Sequence, residues 1–215
     1  MHAQTVAAAD WWARPASGRP ANWIATYQNS LKARHRDAIA EIVAELKPET
    51  LLEVGCHCGP NLVRLADEHP TLEMIGLDVN ADAIQAGRVW VANRKLADRV
   101  QLNAGRVPDA TSALPSQAFD VVLSCYALAY IAPTDLDATL HEMGRLAAKA
   151  IVLAEPMTTR ESAEWSGSLN GYQEWAHNYA AAKRWLNTWR GMSTRIVPVD
   201  PPVDRLASIL VAVRA

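Results

Sequence analysis

From residue 50 onward the chain alternates between short, continuously apolar runs and longer stretches whose apolar residues recur at helical spacing. "TLLEV" (50–54), "LEMIGLD" (72–78), "VQLNA" (100–104), "FDVVLSCYAL" (119–128) and "AIVLAEP" (150–156) predict strands, the first of them a buried parallel one. Between them, Pro60 suits the first turn of a helix whose buried side is Leu62, Leu65 and Ala66. Asn80 can cap a second helix over 81–96, and Leu136, Leu140, Met143 and Ala147 mark a third. This alternation predicts an α/β fold, a mostly parallel sheet with helices on both faces. Upstream, Trp23, Ile24, Tyr27 and Leu31 fall at helical spacing; Ile39, Ile42, Val43 and Leu46 extend an apolar face that Pro48 ends.

After Pro156 the rhythm changes. Residues 157–171 are polar and irregular, and Tyr172, Trp175, Tyr179, Ala182, Leu186 and Trp189 then predict one amphipathic helix. "STRIVPV" and "RLASILVAVRA", separated by "DPPVD", predict two closing strands paired antiparallel. The expected organisation is an arm over 1–22, one domain over 23–215, and an insertion over 157–191 that covers the substrate.

Composition narrows the function. With 215 residues, 50% of them hydrophobic, the chain can build one full core. A net charge of −2 supplies no field for holding a polyanion, which argues against nucleic acid. No apolar run approaches the roughly 18 residues of a membrane span. The start, "MHAQTVAAADWW", lacks the charged and apolar regions of a signal peptide. Three cysteines, two of them one residue apart, make a poor disulfide framework and fit a reducing cytosol. Eight tryptophans stand against one phenylalanine, and all but Trp90 lie near the two ends, so the ends differ in character from the centre.

The first strand-to-helix turn runs Glu53-Val54-Gly55-Cys56-His57-Cys58-Gly59-Pro60-Asn61. In an open parallel sheet, ligands bind beyond the carboxyl ends of the strands. Gly55 and Gly59 let the backbone approach a ligand there. Asp78 ends the next strand, 19 residues after Gly59, where a carboxylate can accept both hydroxyls of a ribose. A dinucleotide fingerprint would read Gly-x-Gly-x-x-Gly, and Gly55, His57 and Pro60 do not match it.

The chain instead resembles the S-adenosylmethionine-dependent methyltransferases of the Rossmann-like class. Their first motif, acid-x-Gly-x-Gly-x-Gly, matches at Glu53, Gly55 and Gly59. "IGLDVN" resembles their ribose-binding strand end, "FDVVLSCYAL" their fourth strand, and "LHEMGRLAAKAIVLAEP" the helix and fifth strand that follow. The resemblance spans residues 22–156, and the final hairpin fits the family's seven-stranded order 3-2-1-4-5-7-6 with its last strand antiparallel. It implies S-adenosylmethionine as cofactor and a small-molecule acceptor methylated at oxygen or nitrogen. Glu53 would orient the turn; Gly55 and Gly59 would line the methionine moiety, with Cys56, His57 and Asn61 also cofactor-binding; Asp78 would hold the ribose with Val79 beside it. Asn103, Gly105 and Arg106 would stand near the adenine, Ser124 and Cys125 at the fourth strand's end, and Tyr27 on the covering side.

The chain departs from the family twice. His57 replaces the middle glycine, although histidine tolerates the left-handed region better than most residues. Gly105-Arg106 replaces the family's Gly-Asp, which leaves the adenine to backbone groups or Asn103. Methyl transfer is an in-line displacement that depends on alignment, and a base is needed only when the acceptor starts protonated. Candidates for that chemistry are Tyr126 and Tyr130 after the fourth strand, each either a base or an orienting group. His177 with Glu174 lies in the late aromatic segment, either catalytic or a surface histidine. His141 is read as structural; Arg34, His35 and Arg36 read either as a solvated helix face, the favoured reading, or as the source of an arginine that meets the cofactor carboxylate. Trp23, Tyr27, Trp175 and Tyr179 are expected to close over a flat or apolar acceptor, or over an amine drawn to aromatic faces.

Rival readings are a nicotinamide-dependent oxidoreductase, a cofactor-binding pseudoenzyme, and a nucleic-acid methyltransferase. The last lacks both a basic tract and an Asn-Pro-Pro-Tyr-like segment. Cys56, His57 and Cys58 are too cramped for tetrahedral zinc and have no fourth ligand nearby. Elemental analysis of protein purified without chelator should therefore find far less than one zinc per chain; about one per chain would overturn this.

Overall fold

The computed structural model describes residues 8–15, 22–159, 164–165, 174–182, 187–203 and 206–214. Helices α1 (Ala8–Ala13), α2 (Trp23–Gln28) and α3 (Arg34–Leu46) precede the sheet. The alternating part follows as β1 (Thr50–Val54), α4 (Pro60–Glu68), β2 (Glu73–Asp78), α5 (Ala81–Asn93), β3 (Val100–Ala104), β4 (Phe119–Cys125), α6 (Pro133–Leu146) and β5 (Ala147–Ala154). The later elements are β6 (Glu164–Trp165), β7 (Trp175–Ala176), α7 (Tyr179–Ala182), β8 (Met192–Val203) and β9 (Leu206–Arg214).

Seven strands form one sheet in the order β3-β2-β1-β4-β5-β9-β8, while β6 and β7 make a separate ribbon. Counted without the ribbon, this is the order 3-2-1-4-5-7-6. Neighbouring strands from β3 to β5 pair in parallel, and β9 runs antiparallel to both β5 and β8.

Apolar side chains leave both faces of β1, β4 and β5, which is why these strands read as apolar runs, whereas β2 and β3 carry exposed Glu73 and Gln101. Leu51, Val121, Leu123 and Val152 pack against Ile39, Val43, Leu62, Leu65 and Ile84, so α3, α4 and α5 cover one face. Leu52, Val54, Val122 and Ile151 pack against Leu136, Leu140 and Met143 of α6 and against Tyr179 and Trp189 on the other.

Local signals bound the helices, although α5 ends at Asn93 rather than 96 and Ala147, expected on α6, begins β5. Lys47 closes α3 in the left-handed conformation just before Pro48, Pro60 opens α4, and Asn80 caps α5 by accepting from Ala83 N at 2.8 Å.

Two expectations change. The single amphipathic helix predicted over 172–189 does not form among the described residues. Trp175 and Ala176 pair with the 164–165 strand, His177 bridges Met157, Tyr179–Ala182 is a single α-helical turn and Asn187–Trp189 a 3-10 turn; Tyr172 and Leu186 lie outside the described residues. The local aromatic spacing is overridden because these rings pack onto the sheet and onto one another. The segment "DPPVD", expected as a link, begins inside β8, which runs through Asp200, Pro201, Pro202 and Val203 with a register shift between Pro198 and Val203. Proline is tolerated there because β8 is an edge strand.

Trp189 is wholly buried, and its Nε1 donates to the Leu140 carbonyl at 2.9 Å. Trp189→Ala should cost about 3–5 kcal/mol of stability, read as a large fall in denaturation midpoint with an unchanged m-value.

Candidate functional site at the carboxyl ends of the strands

The loops leaving β1, β2 and β4 meet at one edge of the sheet, and the turn after β1 is bent by three residues with positive φ. Gly55 lies at 77°, His57 at 52° and Gly59 at 81°. Gly55 N and Cys56 N both donate to Leu77 O, at 2.7 and 3.0 Å, which folds the turn back over β2. A side chain on Gly55 would also run into the Ala127 methyl, so the loop after β4 rests directly on this glycine. Histidine holds its left-handed place in the turn, with its N–H donating to Asp78 Oδ2 at 2.7 Å. Asp78 Oδ1 accepts from Asn80 N at 2.8 Å, so one carboxylate ties the turn to the start of α5. Val79 is half-buried beside it.

A buried polar chain lies beneath the turn. Glu53 is 1% exposed; its Oε1 accepts from Asn61 Nδ2, and Asn61 Oδ1 accepts from Arg36 Nη1. Arg36 in turn donates from Nε to Ser30 O at 2.9 Å and from Nη2 to Ser30 Oγ at 2.8 Å. Glu53 Oε2 has no partner among the described residues. Burial pushes the Glu53 carboxyl up to about 7, against the Asn61 hydrogen bond and the Arg36 charge, which pull it down. Arg36 therefore corrects the solvated-face reading of 34–36: it is buried, because a buried carboxylate and amide need a donor of this kind. His35 is buried as well, and burial lowers its pKa to about 4, so it is neutral at neutral pH. Arg34, by contrast, is exposed, as is His141 on α6.

A second buried carboxylate, Glu155, went unsingled in the sequence. It follows β5 and is 1% exposed. Its Oε1 accepts from Ser124 Oγ at 2.7 Å, Ala127 N at 2.9 Å and Leu128 N at 3.1 Å, and its Oε2 accepts from Ala129 N at 3.3 Å. Glu155 thus holds the loop that presses on Gly55. Ser124 and Cys125 are buried with it, behind the site rather than lining it.

The cysteines are packed interior groups. Cys56 and Cys58 are buried, and burial raises both thiols, Cys58 to about 12; Cys125 is raised for the same reason. Thiols of this kind stay protonated, which disfavours both metal ligation and redox attack. Among the described residues, no three His, Cys, Asp or Glu side chains are grouped to hold a metal.

Aromatic rings gather above the turn. The His57 ring stacks on Tyr27 with centroids 3.8 Å apart, and Trp23 meets it edge-on at 4.6 Å. Trp12 from α1 lies 6.5 Å from His57, 6.3 Å from Trp23 and 5.1 Å from Tyr130. Tyr130 therefore joins the cluster. Tyr126, at φ 53°, instead directs its ring edge toward His35, 5.7 Å away.

The expected four-ring cover divides in two. Trp175 and Tyr179 flank His177, at 6.5 and 5.6 Å, in a separate group. His177 is 1% exposed and its Nε2 donates to Ile131 O at 3.1 Å; burial lowers its pKa. Glu174 is half-buried. Tyr179 is core, since only 1% of it is exposed. At the end of β3, Asn103 Oδ1 accepts from Arg88 Nη2 at 3.3 Å and Gly105 N donates to Asp78 O at 2.9 Å. Arg106 Nη2 lies 4.0 Å from Asp10 Oδ1 of the arm.

A family model described as a methyltransferase domain matches residues 51–150. A curated relative, catechol O-methyltransferase B of Danio rerio, is 38% identical over 69 residues, 32% of this chain and 26% of that protein. The chain thus spans about a quarter of that relative's length. Among solved structures, the S-adenosylmethionine-dependent methyltransferase SibL in its apo form superposes with a TM-score of 0.64 at 20% identity, covering 86% of this chain and 55% of its own. Magnesium protoporphyrin IX methyltransferase from Synechocystis PCC 6803, solved with bound S-adenosylmethionine, gives 0.62 at 16% identity, with 96% and 90% covered.

The buried carboxyl of Glu53 generates a pH prediction. It titrates near 7 when folded and near 4.5 ordinarily, so between those values the folded protein keeps a proton that the unfolded chain has lost. The stabilisation is complete below about pH 4.5 and is lost as pH rises toward 7. Glu53→Gln should flatten this limb by on the order of 3 kcal/mol, seen as a weaker dependence of melting temperature on pH from 4.5 to 7.

Proposed function

We propose that this chain, whose residues 51–150 form a methyltransferase domain of the Rossmann-like, S-adenosylmethionine-dependent class, methylates an oxygen or nitrogen of a small, flat acceptor. The observation that carries the reading is the junction of Asp78 with the glycine turn. A strand-end carboxylate, already engaged by His57 N and Asn80 N, stands where a ribose can be held against positive-φ backbone.

The residues fit the cofactor. Asp78 offers acceptor oxygens for hydroxyl donors, and Gly55 and Gly59, at φ 77° and 81°, give the turn its bend. The orphaned Oε2 of Glu53, buried under that turn, is an acceptor that an ammonium group can satisfy. Arg36 keeps Asn61 and Glu53 in place from below. When bound, S-adenosylmethionine supplies an electrophilic methyl group on a sulfonium centre. The protein's own task is to align the acceptor and exclude water, for which fixed backbone and packed rings suffice.

Tyr130 is the phenol placed to orient the acceptor, because its ring joins the cluster over the turn. Tyr126 and His177 act from behind, one against His35 and the other bonded to Ile131 O. Glu155 fixes the loop that carries Tyr130. Aromatic walls favour a flat acceptor, and the Danio rerio relative, a catechol O-methyltransferase by name, supports an aromatic hydroxyl as the first class to test.

Calorimetry with S-adenosylhomocysteine tests the cofactor half of this reading. Asp78→Ala loses charge-assisted hydrogen bonds and should weaken binding by about 1.5–3 kcal/mol; equal affinity in the two proteins would refute the assignment. Incubation of the wild-type protein with S-adenosylmethionine and a panel of phenols, catechols and aromatic amines tests the acceptor half, read as acceptor-dependent S-adenosylhomocysteine release.

A further inference from the structure

The N-terminal arm crosses the site. Asn80 caps α5 with Oδ1, while its Nδ2 donates to two arm carbonyls, Trp12 O at 2.6 Å and Arg14 O at 3.0 Å. Asn80 is 1% exposed, so this grip is shielded from water. The arm's Asp10 reaches toward Arg106 past the end of β3. The Trp12 indole lies between Tyr130, from the loop after β4, and the Trp23 and His57 rings over the turn after β1. The arm therefore spans the carboxyl ends of β1, β2, β3 and β4, where a nucleoside would lie.

The distances decide what this crossing means. Flat groups in contact need about 3.5–4 Å between them. A third ring placed between two others therefore needs roughly 7 Å of separation. Trp12 and Tyr130 are 5.1 Å apart, and Trp12 and Trp23 are 6.3 Å apart. No flat ligand group can enter between either pair while the indole is seated.

We propose that Trp12, latched through its carbonyl to Asn80, is an internal occupant of the space over the glycine turn, beside Asp78, that must withdraw before cofactor binds. The inference rests on the cofactor reading above. It makes the arm an autoinhibitory contact rather than a roof over bound cofactor, and the two make opposite predictions for affinity. A roof adds contacts to the complex, so its loss weakens binding. An occupant subtracts a competitor, since apparent affinity is reduced by the fraction of protein in the competent state.

Isothermal calorimetry and stopped-flow tryptophan fluorescence with S-adenosylhomocysteine on the full chain test this. Trp12→Ala should bind about tenfold more tightly, the factor expected if the arm is seated roughly nine-tenths of the time. The gain should appear mainly in the association rate. Asn80→Ser keeps an oxygen to cap α5 but cannot span both arm carbonyls, and it should give the same direction of change with Trp12 intact. Because Trp12 is part-exposed, its truncation should leave the melting temperature nearly unchanged. Equal or weaker affinity in both variants overturns the occupant. Tighter binding in both, with the faster association, supports it. Wild type and both variants that all fail to bind S-adenosylhomocysteine overturn the cofactor reading and this inference with it, a result distinct from binding that the arm does not affect.

Discussion

The contact between Gly55 and Ala127 governs the site. β1 and β4 are parallel neighbours, so the loops leaving them start about one strand spacing apart. The turn after β1 has to bend under the loop after β4, and only a residue without a side chain leaves room for the Ala127 methyl. Once Gly55 is seated there, its N–H and that of Cys56 reach the Leu77 carbonyl, which carries the turn toward β2. The left-handed conformations of His57 and Gly59 follow, and they bring the His57 N–H to Asp78 and aim α4 into the core.

Both sides of that contact are held by buried carboxylates. Glu155 gathers three backbone N–H groups and a hydroxyl above Ala127, while Glu53 is tethered through Asn61 and Arg36 below the turn. Burying a carboxylate is unfavourable unless its oxygens are hydrogen-bonded. Glu155 meets this condition at both oxygens. Glu53 meets it at one among the described residues.

What could be read from residue order follows from how local each cause is. "TLLEV" and "VQLNA" coincide with β1 and β3 because a short apolar run ending at turn residues needs no distant partner to be recognised. The strand end at Asp78 was legible for the same reason. Arg36 was not, since its partner Asn61 lies 25 residues away and nothing in a charged helix start signals a buried need. Glu155 was missed because most of its partners are backbone amides, which leave no trace in residue type. The 172–189 periodicity misled through its own regularity: the rings were spaced for a helix but pack as a ribbon, a short helix and a bridge. The division of the aromatic residues into one group on His57 and another on His177 is likewise set by tertiary packing.

The prolines of β8 have a consequence for how the molecule meets its own kind. An edge strand exposes a row of amides and carbonyls on which another chain can add a strand. Pro198, Pro201 and Pro202 carry no amide hydrogen, and the pairing with β9 slips between Pro198 and Val203. An incoming strand laid along this rim would find its ladder interrupted and the rim out of step with any straight partner. The open side of the sheet is thus poorly suited to fibre growth.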